Sequence, residues 1–374
     1  MHSNMRHRLQ EISSASASSI SSLHEDIMAD IIGRLTVKDM ATCMCVSKHW
    51  HSFISKLCFP RITSALHGLR YRTRYYKSGV STRTLWHMAS ISSTPYNHRI
   101  HIRNLLPFTA SPKKFLDCYN GLDLYFDPSS MQYYICNSSI RQFRAISNSP
   151  RNNVPKTAAL ILDPHLKIVH ISGSPATMNI YSSAMGKWSV HKLDKLDMTA
   201  KMPSRYVFLD GSLYRNSGAG YLLKFNVTKE IGYGAIELPE IAKMNLEVGC
   251  LGVSQGSLHF GWDDQSSNMM IWMLNSANEW VLKHNISLQY FAQHSLCKNL
   301  QDPSVLDVVT FHPTCDKFFV GNCSGIFCYD PVKEELETVV TESCIEKFII
   351  YGGQDLSYTF FINLTSLDVL LKGS

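Results

Sequence analysis

One pattern recurs through the C-terminal two-thirds of the chain: an apolar or aromatic pair, a turn, a polar or charged bend, then another aromatic stretch. It reads LYFDPSSMQYYI around Asp127, NIYSSAMGKWSV around Ser183, LLKFNVTKEIGY around Asn226, IWMLNSANEWVL around Asn275 and IFCYDPVKEELE around Asp330. Equivalent positions follow one another at about 44 to 56 residues, the spacing of propeller blades. Asn120-Gly121-Leu122, Asp210-Gly-Ser-Leu-Tyr214 and Gln255-Gly-Ser-Leu-His259 form a second recurring piece, each placing glycine in a tight hairpin just ahead of a strand. A four-stranded blade cannot cover both its faces alone, so several must stack around an axis and share a core. The pattern predicts a mainly β fold with a small N-terminal α subdomain. The β part is a propeller of about six blades, counting strand-like residues before Phe115 and the stretches KFIIYGG, SYTFFINL and LDVLL after Glu346. Two packed β-sandwiches are the alternative.

Ahead of this lies a run with helical spacing. Leu23, Ile27, Ile31 and Leu35 recur every four residues with Ile32 beside them, so they line a stripe of one helix. Thr36 and Asp39 form a candidate capping pair for a second helix bearing Met40, Met44 and Val46. Ser47 is a candidate N-cap for a third, with Trp50, Phe53, Ile54 and Leu57 at helical spacing. Three helices in about 35 residues cannot enclose their own apolar faces. Something else must cover the surplus, either the rest of the chain or a partner.

The order of residues in this run, Leu23-His-Glu-Asp-Ile27, Ile31-Ile-Gly-Arg-Leu35 and Val46-Ser-Lys-His-Trp50, resembles an F-box, by which substrate receptors hook to the small adaptor of a cullin-RING ubiquitin ligase. The chain departs from that family at His24 and Thr36, where proline is usual. Proline there would pre-set the backbone, and its loss bears on adaptor affinity more than on the helices. A second resemblance covers about residues 115 to 340. Tyr119-Asn-Gly-Leu122, Ile180-Tyr-Ser-Ser183 with Trp188, Phe208-Leu-Asp-Gly-Ser-Leu-Tyr214, Ile271-Trp-Met-Leu274 with Glu279-Trp-Val-Leu-Lys283, and Val309-Thr-Phe-His-Pro313 are similar to the kelch-like F-box-associated domain of plant proteins. Cys136-Asn137-Ser138 replaces its usual Asn-Pro turn.

The resemblance implies a substrate-recognition subunit of an SCF-type ligase that breaks no bond itself. Its partners would be the ligase adaptor, through it a cullin, and a target protein held by the propeller for ubiquitination. It assigns adaptor binding to Leu23, Ile27, Ile31, Ile32, Leu35, Val37, Met40, Val46, Trp50 and Ile54. The implied domains are a serine-rich disordered tail at 1–21, the F-box at 22–60, a basic connector with the first blade strands at 61–114, and the propeller at 115–374.

Between Met40 and Leu116 there are twelve Lys and Arg and no Asp or Glu. Within that block Arg70-Tyr-Arg-Thr-Arg-Tyr-Tyr-Lys77 interleaves bases with aromatics, a composition that suits a nucleic-acid groove, an edge strand with snorkelling side chains, or attraction to an acidic protein. No apolar run approaches a membrane span, so no membrane partner is expected. The eleven scattered cysteines suit reduced thiols of the cytoplasm or nucleus.

Candidate chemistry is sparse. Cys315, Cys323 and Cys328 are irregularly spaced for zinc, and Cys43 and Cys45 fall on different sides of a helix. His98 with His101, and His165 with His170, lack matching partners. Gly218-Ala-Gly220 lacks the third glycine of a dinucleotide loop, and Asp263-Asp264 reads as a polar turn. Neither cofactor nor metal is expected. Two other functions stay open: a nucleic-acid module using residues 61–114, and a propeller enzyme or small-molecule receptor with a polar central pocket.

Overall fold

The computed structural model describes residues 25–33, 35, 43–54, 68–77, 80–90, 100–101, 114–137, 142–147, 154–194, 196, 205–228, 230–244, 249–264, 267–297, 306–322, 325–341 and 357–360. The chain divides into two compact units, Met1–Ser64 and Ala65–Ser374.

The first unit contains α1 (Glu25–Gly33). Ser47 caps α2 (Lys48–Phe53): its backbone is extended and its Oγ accepts from the Trp50 N–H at 3.2 Å. Met28, Ala29 and Ile32 of α1 are buried, as are Phe53 and Ile54 at the end of α2. The proposed Thr36–Asp39 cap lies outside the described residues.

The second unit opens with β1 (Gly68–Lys77), β2 (Val80–Ser90) and β3 (Ile100–His101). Four successive strands then form each of five sheets. The first contains β4 (Lys114–Tyr119), β5 (Leu122–Asp127), β6 (Gln132–Asn137) and β7 (Gln142–Ser147). The second contains β8 (Ala159–Leu162), β9 (Leu166–Ser172), β10 (Ala176–Ser182) and β11 (Lys187–Leu193). The third contains β12 (Val207–Leu209), β13 (Ser212–Asn216), β14 (Tyr221–Asn226) and β15 (Gly232–Glu237). The fourth contains β16 (Cys250–Ser254), β17 (Ser257–Asp263), β18 (Asn268–Leu274) and β19 (Trp280–Ser287), after which comes α3 (Leu288–Gln293). The fifth contains β20 (Asp307–Phe311), β21 (Phe318–Asn322), β22 (Gly325–Asp330) and β23 (Glu335–Thr341). Every strand pair is antiparallel, the build of propeller blades.

The hairpin glycines explain this regularity. Asn120 and Gly121, Asp210 and Gly211, and Gln255 and Gly256 all have positive φ, at 47° and 74°, 47° and 74°, and 49° and 73°. Two left-handed residues in succession make a type I′ turn, whose twist matches its flanking strands. Each joins the first and second strands of its blade. The aspartate and asparagine recurrences are turn chemistry too. Asp330 Oδ1 accepts from the Val332 and Lys333 N–H groups, and Asn275 Oδ1 from those of Ala277 and Glu279. Ser183, Asn226, Asn275 and Asp330 all fall between third and fourth strands, whereas Asp127 falls between the second and third. The first recurrence is therefore one hairpin out of phase with the other four.

The cores lie between blades. Leu124, Phe126 and Tyr133 of the first meet Leu160 and Ile168 of the second. Ile161 and Met178 meet Leu213 and Phe225 of the third. Tyr214 and Leu222 meet Phe260 and Trp272 of the fourth. Met269 and Ile271 meet Phe318 and Phe327 of the fifth, with Leu288 and Phe291 of α3 filling that junction. Outer-strand aromatics tie neighbouring blades: Trp188 Nε1 donates to Ser147 O, Tyr233 Oη to Asp194 O and Trp280 Nε1 to Glu237 O, each at 2.8 Å.

Sequence reasoning counted about six blades. The five continuous blades differ in build from the remaining four-stranded sheet, whose order is β24-β1-β2-β3, with β24 at Ser357–Phe360. It joins strands from both ends of the unit, and β24 lies beside β20 and β4. KFIIYGG and LDVLL lie outside the described residues. The local four-strand order leaves no place for two packed sandwiches. The Arg70–Lys77 segment forms most of β1, which pairs with β2 along its length and with β24 from Gly68 to Tyr71, so among the described residues Arg72–Lys77 have a strand partner on one side only. Helix α3 was not anticipated. Its signal was Ser287, whose Oγ accepts from Gln289 N–H as an N-cap.

Candidate functional site

Helix α1 carries two apolar stripes one residue out of step. Met28, Ala29 and Ile32 turn inward, while Ile27 is 52 % and Ile31 51 % exposed, and Leu35 just beyond the helix is 37 % exposed. Positions 27 and 31 share one face at helical spacing, and Leu35 follows the helix in a turn where its N–H bonds Ile32 O. Val46, immediately before the α2 cap, is 70 % exposed, and Trp50 one turn later is half-buried. An isolated exposed aliphatic needs no explanation, but a row on one face does.

Seven of the ten candidate adaptor-binding residues are thus placed. Ile27, Ile31, Leu35 and Val46 are exposed, Trp50 is half-buried, and Ile32 and Ile54 are interior, where they support the helices and cannot touch a partner directly. Leu23, Val37 and Met40 lie outside the described residues. Met28 and Ala29, which sequence reasoning passed over, complete the inner stripe; their signal was the 28, 29, 32 spacing.

The propeller holds titratable groups that the sequence did not bring together. Asp263 pairs with Asp307 of the adjoining blade, not with Asp264; burial first, and then the Asp263 carboxylate, push Asp307 up to about 7. Asp264 caps a turn, its Oδ1 accepting from Ser267 N–H at 2.6 Å and Asn268 N–H at 2.9 Å. Asp117 of β4 accepts from the Leu160 N–H of β8 at 2.8 Å, and its complete burial raises it to about 7 despite that bond. His170 is buried within 3.4 Å of the Tyr133 hydroxyl, and burial lowers it to about 4.

Cys315 Sγ lies 3.0 Å from His312 Nδ1, a pairing that sequence reasoning missed although the two are three residues apart. Burial raises the thiol and lowers the imidazole, so both rest neutral and the thiol is not activated. The pair sits in a loop locked to the fourth blade: Ser254 Oγ donates to His312 O at 2.7 Å, and Gln255 N–H to Pro313 O at 2.7 Å. Gly218 and Gly220 shape a turn closed by Asn216 Oδ1 and Ser217 Oγ, with no phosphate-loop geometry. Among the described residues no three or more His, Cys, Asp or Glu are grouped to hold a metal. The side chains of Arg70–Lys77, in β1, lie outside the described set, as does His98.

Comparison with known proteins agrees with this division. Residues 20–62 match the F-box domain family, and residues 113–303 match the family described as F-box protein At3g26010-like, beta-propeller. A relative described as an F-box protein, At5g52610 of Arabidopsis thaliana, is 24 % identical over 289 residues, covering 69 % of this chain and 76 % of its own. Among solved structures, the chain is similar to a fungal alcohol oxidase in complex with copper, with a TM-score of 0.40 at 10 % identity over 76 % of this chain and 66 % of that one. It is also similar to a streptogramin B lyase, with a TM-score of 0.40 at 10 % identity over 73 % and 89 %.

Proposed function

The chain belongs to the F-box proteins of the At3g26010-like β-propeller family, and from that premise we propose that it is the substrate-recognition subunit of an SCF-type ubiquitin ligase. The observation that carries this reading is the exposed pair Ile27 and Ile31 on α1, with Leu35 exposed just after it, beside the buried Met28, Ala29 and Ile32. The outward stripe, Val46 and the exposed part of Trp50 dock on the ligase adaptor, and a cullin joins through it. Each aliphatic fully covered there contributes about 1.5 to 3 kcal/mol.

In this reading the propeller is a rigid platform, with β24-β1-β2-β3 as its closing blade and the target protein held on its loops or edges. Ubiquitin transfer is then promoted by raising effective concentration. The chain contributes position and no bond-breaking group, and it works in the cytoplasm or nucleus. No helix among the described residues is long and apolar enough to cross a membrane. Co-purification with the adaptor and a cullin tests the proposal. A folded chain that retains neither partner contradicts it.

A further inference from the structure

Outer strands of a sheet present unpaired backbone groups and are ordinarily guarded by charge, distortion or brevity. Four of the five continuous blades follow that rule. Strand β7 exposes Arg144 and β11 exposes Lys187 and Lys192. Strand β19 carries Lys283 and a broken register at Ile271 and Trp272; β23 exposes Glu335 and Glu337 and has a register break at Ile326 and Phe327.

Strand β15 does not. Its sequence, Gly232-Tyr-Gly-Ala-Ile-Glu237, has no charge before its last residue, and its register with β14 is unbroken from Gly232 to Glu237. Tyr233, Gly234, Ala235 and Glu237 are all exposed, and since Glu237 O already accepts from Trp280 Nε1 the open stretch runs from Gly232 to Ile236. Among the described residues nothing accounts for the two glycines. Neither has positive φ, no bulge is present, and a Cβ built on either meets nothing within 4 Å. A glycine in a strand interior that serves neither bend nor bulge marks a place where another backbone or ligand comes close. The surroundings are acidic: Glu230, Glu237, Glu240 and Glu279 are exposed, with Lys243 bonded to Glu237 at 3.1 Å and to Glu240 at 2.6 Å.

We propose that the outer edge of β15 is a docking site where an extended, basic segment of the recruited protein adds as a fifth strand to the third blade. Backbone pairing supplies the register, as in other strand additions. A bulky aromatic side chain of the incoming strand lies across the open surface of Gly234, the way cross-strand aromatics cover edge glycines. Flanking Lys or Arg residues meet Glu230 at one end and Glu237 with Glu240 at the other. The inference deepens the recruitment reading and rests on it for the identity of the segment's owner.

The test is fluorescence polarisation of the full chain with a labelled heptapeptide, Arg-Thr-Tyr-Thr-Val-Thr-Arg. Two controls accompany it: the same peptide N-methylated at alternate residues, and one with Glu in place of both Arg. Saturable binding of the basic peptide is expected, with about a tenfold or greater loss for either control. Gly234→Lys and Gly232→Lys place a charge in open space and should each weaken binding by about the same factor with the thermal midpoint unchanged. Absence of binding by the native chain overturns the proposal. So does equal binding by the N-methylated peptide, or by both lysine variants while folded. Adaptor co-purification of Gly234→Lys should be unchanged. Loss of adaptor binding by the native chain alongside intact peptide binding would remove the recruitment reading and leave the edge site standing.

Discussion

The two units treat their apolar side chains in opposite ways. The propeller hides them: Phe318, Phe327, Phe260 and Phe126 are fully enclosed between blades, and aromatic N–H and O–H groups tie one outer strand to the next. The helical unit leaves Ile27 and Ile31 half exposed although both were available for packing. A large β unit can satisfy its own apolar surface through repetition, whereas a few short helices cannot, and their surplus stays exposed.

The contrast is broken most severely by Phe318→Ala. Phe318 sits edge-on to Tyr329, with centroids 5.4 Å apart, inside the junction of the fourth and fifth blades. Its truncation should cost about 3 to 5 kcal/mol in denaturant unfolding, and a loss below about 1 kcal/mol would show that the junction repacks.

A smaller effect is expected at the hairpins. Gly256 holds φ +73° with nothing within 4 Å of a built Cβ, so Gly256→Ala isolates backbone strain. The melting transition should report about 1 to 2 kcal/mol of destabilisation, whereas an unchanged midpoint would mean that the turn changes type at no cost.

pH dependence separates the two units as well, because the Asp263–Asp307 carboxyl pair lies in the propeller. Asp307 in the folded state is raised from 3.8 to about 7, so the folded form binds its proton more tightly than the unfolded chain does. Its contribution is fully present below pH 3.8 and is lost as pH rises through about 7. Asp307→Asn should flatten the fall in stability across that window, measured by urea unfolding at several pH values. An unaltered slope would place the titration elsewhere, with Asp117 the next group to replace.

Much of the architecture was legible because its signals are local. Asn120-Gly121, Asp210-Gly211 and Gln255-Gly256 announce type I′ hairpins through residue types that tolerate positive φ, and Ser47 announces a cap. What was not legible depends on residues distant in sequence. Asp263 and Asp307 meet because neighbouring blades stack, and β24 reaches β1 from the far end of the unit. Which of the proposed adaptor-binding residues are exposed was only half legible. Ile31 and Ile32 are equally apolar, and which of two adjacent stripes faces inward is decided by the packing of α1, not by hydrophobicity. The Asp127 recurrence resembles those at Asn275 and Asp330 because all three carboxyl or amide oxygens accept from their own turn, although Asp127 closes a different hairpin.

Calorimetric titration of the full chain with the ligase adaptor, beside Ile31→Asp, most directly tests whether Ile27 and Ile31 dock there. Because Ile31 is half exposed, the substitution should leave folding stability within about 0.5 kcal/mol. It should weaken the adaptor by about 2 kcal/mol, or roughly thirtyfold. Equal affinity for the native chain and a folded Ile31→Asp variant would contradict the assignment of the outward stripe as the docking face.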